Sequence, residues 1–142
     1  MHLSWLVILL WLSTCTITLA QDHSLAGGEC EYEPYTGKVK ITSIVQNNSS
    51  IKSTHELYEV KFIILSMPDL DEKRSWIKGR EFMLLLDNSS FPGPLYLKKY
   101  GIAVGKVFDC FCHVITRGTC SPIFFTFPEI RLDDYFESQP QS

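Results

Sequence analysis

Residues 105–127, GKVFDCFCHVITRGTCSPIFFTF, decide how this chain folds. They read as a strand over Gly105–Ile115, a turn at Thr116-Arg117-Gly118-Thr119 and another strand over Pro122–Phe127. Cys110, Cys112 and Cys120 all fall in this stretch. Side chains two apart on a strand share a face, so Cys110 and Cys112 point one way and His113 the other.

Five cysteines occur in the chain. Cys15 belongs to a segment with the features of an export leader. Trp5–Leu12 is a short apolar run, and Thr18-Leu19-Ala20 places small residues where a signal peptidase reads. The run is too short to span a bilayer. Residues 1–20 are therefore expected to be a signal peptide, and removing them leaves Cys30, Cys110, Cys112 and Cys120 in an oxidising compartment. No second long apolar segment follows, so no membrane insertion is expected after cleavage.

Two chemistries compete for those four cysteines. Three thiols and the His113 imidazole are enough donors for a zinc ion. His113, however, faces away from Cys110 and Cys112, and export favours oxidation. Two disulfides are expected, both leaving the strand on one side, one to Cys120 and one back to Cys30. Four cysteines allow three pairings. Cys112–Cys120 closes the shortest loop and is the preferred choice.

Upstream of the cysteine strand, Pro94 suits a first helical position and Gly101 a C′ residue, which predicts a short helix over Leu95–Tyr100. Before it come three strands. Val39, Ile41, Ser43 and Val45 alternate with Lys38, Lys40, Thr42 and Ile44, and the strand ends in the turn Asn47-Asn48-Ser49-Ser50. Tyr58, Val60, Phe62 and Ile64 alternate with Glu59 and Lys61 until Pro68. Met67–Arg80 is charged and irregular, with one helical turn expected around Asp71–Trp76. Glu81–Leu86 is a third, more buried strand, closed by Asp87-Asn88-Ser89-Ser90.

Three strands, a helix and two strands follow the order of a five-stranded OB barrel, with the helix plugging its floor. The expected architecture is all-β with one short helix, a disulfide-stapled, OB-like Greek-key barrel, with a small β-sandwich as the alternative. The expected organisation is an N-terminal arm at 21–34, a barrel at 35–128 and a disordered acidic tail at 129–142. With Tyr35-Thr36-Gly37-Lys38-Val39, Gly101-Ile102-Ala103-Val104-Gly105 and this strand order, residues 30–127 resemble the secreted netrin-like OB-fold domains, which include tissue inhibitors of metalloproteinases. The resemblance implies binding of an extracellular protein. Those inhibitors chelate the protease zinc through an N-terminal cysteine, whereas here the expected mature N-terminus is Gln21 and the first cysteine is Cys30. The inhibitory mechanism is not carried over.

Charge narrows the function further. The net charge is −3, all of it from the tail, where Glu129, Asp133, Asp134 and Glu137 stand against a lone Arg131. The remainder is near neutral and offers no basic face for nucleic acid. Asp109 and His113 would share a face without an identifiable nucleophile, and His55 carries less signal still, so no enzyme and no cofactor is expected. Asn47-Asn48-Ser49, Asn48-Ser49-Ser50 and Asn88-Ser89-Ser90 are glycosylation sequons in expected turns, which marks Asn47, Asn48 and Asn88 as acceptors.

One loop invites a partner. Arg74, Trp76 and Arg80 lie in the charged segment between the second and third strands, and Trp and Arg are favoured interface anchors. The alternative is a solvated loop with Trp76 packed on the barrel. Taken together, the sequence points to a secreted, non-enzymatic protein that binds an extracellular or matrix protein. A structural component of an extracellular or mineralised matrix, with an adhesive tail, is one alternative. A protease inhibitor or a small secreted hydrolase is another.

Overall fold

The computed structural model describes residues 29–48 and 56–137. The leader, residues 21–28 of the arm, the second and third residues of the Asn48 sequon, His55 and residues 138–142 lie outside them. Five antiparallel strands form one sheet: β1 (Glu31–Gln46), β2 (Tyr58–Ser66), β3 (Glu81–Leu84), β4 (Val107–Arg117) and β5 (Ile123–Thr126). An α-helix, α1 (Pro94–Lys99), connects β3 to β4. The spatial order is β3-β2-β1-β4-β5, so the long β1 is the central strand, and the sheet curls into a half-barrel.

Period-two patterning fixes which face is inside. Tyr35, Gly37, Val39 and Ile41 of β1 are buried, and Thr36, Lys38 and Lys40 between them are exposed. Val60 and Phe62 of β2 and Phe108, Cys110, Cys112 and Val114 of β4 complete the concave face. A register slip of one residue would turn all of these outward, so the alternation specifies the pairing. The sheet closes over a floor made by Tyr96 of α1, Ile77, Leu70, Leu86 and Ile130, each buried. All five strands belong to this one curled sheet rather than to two facing layers.

Two boundaries differ from expectation. β1 starts at Glu31 rather than Tyr35, because residues 31–34 pair with the far end of β4, Glu31 opposite Arg117 and Pro34 opposite His113. Pro34 and the polar neighbours mask this extension in the sequence. The described part of the acidic tail is packed as well. Ile130 is buried, the carbonyl of Leu132 accepts from the Asp87 amide at 3.0 Å, and that of Arg131 accepts from the Tyr96 hydroxyl at 2.8 Å.

Glu137 explains why the tail is held. Gly93 precedes α1 and has no side chain with which to cap it, so the first amides of the helix need an acceptor from elsewhere. Glu137 supplies it: Oε1 accepts from the Leu95 amide at 2.9 Å and Oε2 from the Tyr96 amide at 2.8 Å. A Cβ at residue 93 would lie 2.4 Å from the Glu137 carboxyl carbon, so this approach requires glycine.

Candidate binding surface

The β2–β3 loop is anchored from below. Met67, Leu70 and Ile77 are buried and hold it against the floor of the half-barrel. Within it Glu72–Ile77 forms a 3₁₀ helix, started by the Asp71 carboxylate, which accepts from the Arg74 amide at 3.0 Å. Gly79, at φ 77°, turns the chain into β3.

Arg74 fastens this loop to the central strand. Its guanidinium pairs with Asp71, reaches Glu33 of β1 at 2.8 Å, and lies 5.3 Å over the Tyr35 ring. Arg74 is thus largely covered and engaged within the chain. Trp76 and Arg80 differ. Trp76 is 43% exposed, and the Arg80 guanidinium stands 5.3 Å from the centre of its ring. Trp76 is thus partly covered and partly presented at the surface. Beside it, Ile64, Leu65, Met67, Pro68 and Lys78 line a shallow cleft of about 440 Å³, with Leu65 exposed.

The cysteines correct the expected bridging. Cys30 is joined to Cys120, which ties the start of β1 to the β4–β5 turn. The expected Cys112–Cys120 bridge is absent, because Cys112 points into the core while Cys120 lies on the exposed turn beyond β4. Cys110 and Cys112 are free thiols, fully enclosed opposite Gly37 and Tyr35 of β1. Burial pushes Cys110 up to about 11 and Cys112 to about 12. With Cys120 oxidised and His113 on the other face, the four donors weighed for zinc do not converge. Gly118 makes the bridge possible: at φ 102° its missing Cβ would lie 2.6 Å from the Cys30 sulfur.

His113 and Asp109 are not an acid–base pair. Asp109 is 2.5 Å from the Lys38 ammonium across the β1–β4 ladder. His113 stacks flat on Phe124 at 4.4 Å, and its Nε2 lies 3.0 Å from the Thr126 hydroxyl. Burial lowers the His113 pKa. Of the sequon residues, Asn88 is exposed in its turn, where its side-chain oxygen accepts from the Ser90 amide at 3.0 Å. Asn47 and Asn48 follow β1, with Asn48 exposed.

One feature escaped the sequence reading. β3 and β5 are the two ends of the sheet, and neither pairs with the other, so a seam runs between them. It opens into a cleft of about 690 Å³ lined by Phe82, Met83, Leu84, Ile123, Phe125 and Phe127, among others. The aromatic density of the Pro122–Phe127 strand was visible in the sequence. Nothing there said that its outer edge would be left open. Among the described residues no helix is long and apolar enough to cross a membrane. Comparison with protein-family models, with curated proteins and with solved structures finds no match for this chain.

Proposed function

We propose that this chain is a secreted, non-catalytic module that binds an extracellular protein, built on an OB-like barrel. The order β3-β2-β1-β4-β5 supports the fold reading: it is compatible with the strand ring of an OB barrel whose β3–β5 closure is left unpaired, and α1 lies between β3 and β4 as that topology would have it. One disulfide, formed between an exposed and a half-exposed cysteine at the start of β1 and in the β4–β5 turn, fits an oxidising compartment.

The observation that carries the binding reading is the Trp76–Arg80 pair. A large, nearly half-exposed aromatic ring stands on a loop fixed from below by three apolar anchors and from the side by Arg74. Trp and Arg are favoured anchors of interface hot spots, and a loop already fixed in place has less freedom to lose on binding. The tail is not offered as an adhesive. Asp134 is engaged by Lys99 and Tyr100, Asp133 by Arg131, and Glu137 by the start of α1. This leaves the mineral-matrix alternative without a set of free carboxylates.

The test uses the secreted protein with a photo-crosslinker, presented to its native extracellular fluid. A defined set of crosslinked proteins is expected for the wild type. Trp76→Ala and Arg80→Ala should each deplete that set about tenfold or more, as loss of a hot spot does, with a melting temperature near that of the wild type. Undiminished crosslinking by both variants would refute the loop as the contact surface. So would a Trp76→Ala protein that melts well below the wild type.

A further inference from the structure

The β3–β5 seam is an unfinished sheet. We propose that it receives an extended, uncharged, apolar peptide segment of a partner protein, which lies between β3 and β5 as an added strand and closes the barrel. The inference rests on the reading of this chain as a binder and states where and how one partner segment is held.

Four observations lead to it. The outer edges of β3 and β5 have no strand partner among the described residues, so both carry main-chain donors and acceptors aimed at one groove. Phe82, Ile123, Phe125 and Phe127 pack against the core yet are only partly buried, and the Phe82 ring of β3 meets the Phe125 ring of β5 at 4.8 Å, an apolar lining shared by both sides of the seam. The groove, about 690 Å³, falls in the range of peptide and ligand pockets, and Asp87 is the one charged residue along it. Finally, Pro122 and Pro128 bracket β5, and neither has an amide to donate, so pairing is confined to the short Ile123–Thr126 edge and its immediate neighbours. An edge of that length takes a segment of about four to six residues at ~3.3 Å each.

These features specify the occupant's chemistry. Main-chain pairing on two sides demands an extended backbone, and the interior rings demand an apolar side chain at every second position. A second copy of this chain is a poor occupant. The unpaired strand edges it could bring, among the described residues, are its own β3 and β5, and these are themselves the walls of its groove.

The experiment selects a displayed library of random octapeptides on the purified secreted protein. Enriched peptides are then synthesised with blocked ends and with N-methyl groups on alternate amides. Enrichment of alternating apolar residues is expected. Methylation in either register should weaken binding about tenfold or more, since a bridging strand hydrogen-bonds on both sides. Bound peptide should slow amide exchange at Met83–Leu85 and Ile123–Phe127. Met83→Lys, at a 40% exposed position, should weaken binding.

A peptide that tolerates methylation in one register sits on a single edge and overturns bridging. Failure to enrich any peptide overturns the seam proposal. So does a dimer in which the same amides are protected without peptide. Peptides that instead protect residues 72–80 overturn the seam while leaving the binding function standing. Loss of both the peptide and the crosslinked partners removes the binding function itself.

Discussion

Cys110 and Cys112 show how position on a strand decides cysteine chemistry. Both face the interior of β4, and thiolate formation there would place charge in an apolar core, which is why their titration is pushed up to about 11 and about 12. The thiolate is the reactive species, so both should be inert in the native protein. Ellman's reagent is expected to find no thiol under native conditions and two after denaturation, with the intact mass rising by two hydrogens on reduction. A rise of four hydrogens would show that the second bridge forms. His113 should make a small, separable contribution to acid stability. Its folded pKa is lowered by burial, so the neutral ring is the form the fold favours. Stability from this group is complete above the ordinary histidine pKa of about 6.5 and is lost as pH falls below it, because the unfolded chain takes up the proton first. Comparing melting temperatures of wild type and His113→Gln from neutral to mildly acidic pH should show a shallower decline in the variant. A parallel decline would mean that burial of the ring does not disfavour the proton.

At the scale of elements, α1 shows how a short helix can depend on a distant residue. Pro94 and Gly101 were sufficient to place it from the sequence, since one presets φ at the first turn and the other adopts φ 61° after the last. Its capping was not legible, because the acceptor is Glu137, 42 residues from Leu95. Glu137→Ala should cost about 1 kcal/mol, the usual penalty for a lost N-terminal cap, and should raise amide exchange at Leu95 and Tyr96. A variant with unchanged stability and exchange would show that water replaces the carboxylate at no cost. Residues 129–137 depart from the sequence expectation for a related reason. Their composition is acidic, which predicts a solvated tail, yet Ile130, Leu132 and Tyr135 all pack on the core. Three apolar residues in an acidic stretch were the available signal. Net charge outweighed it only because no local period organises them. The strands were legible because alternation is local. Pairing across the sheet ends is not, and so the open seam and the exposed Trp76 emerged only with tertiary structure.

For the whole molecule, the Cys30–Cys120 bridge should be the largest single covalent contribution to stability. It closes a loop with a sequence separation of 90 that contains β1 to β4. In the chain-entropy account a loop of that size is worth about 4–5 kcal/mol, a large share of the 5–15 kcal/mol typical of a domain. β1 already pairs with both β2 and β4, so the fold should survive reduction while losing much of its margin. The expected result is a loss of about 3–5 kcal/mol in denaturant unfolding for Cys30→Ser/Cys120→Ser, with the same loss for wild type under reductant. Cys110→Ala/Cys112→Ala serves as the control: it lowers baseline stability by opening space in the core, but its further loss on reduction should equal that of the wild type, because those thiols form no bridge. The bridge also bears on the seam. It holds residues 31–34 along β4, and this places the Tyr32 ring 4.8 Å from Phe124 and its hydroxyl 2.9 Å from the Ser121 carbonyl, both beside β5. Reduction should therefore accelerate amide exchange at Ile123–Phe127 before the central strands β1 and β2 open. Simultaneous opening of all strands would show that the bridge stabilises the sheet as a unit and has no special hold on the β5 edge.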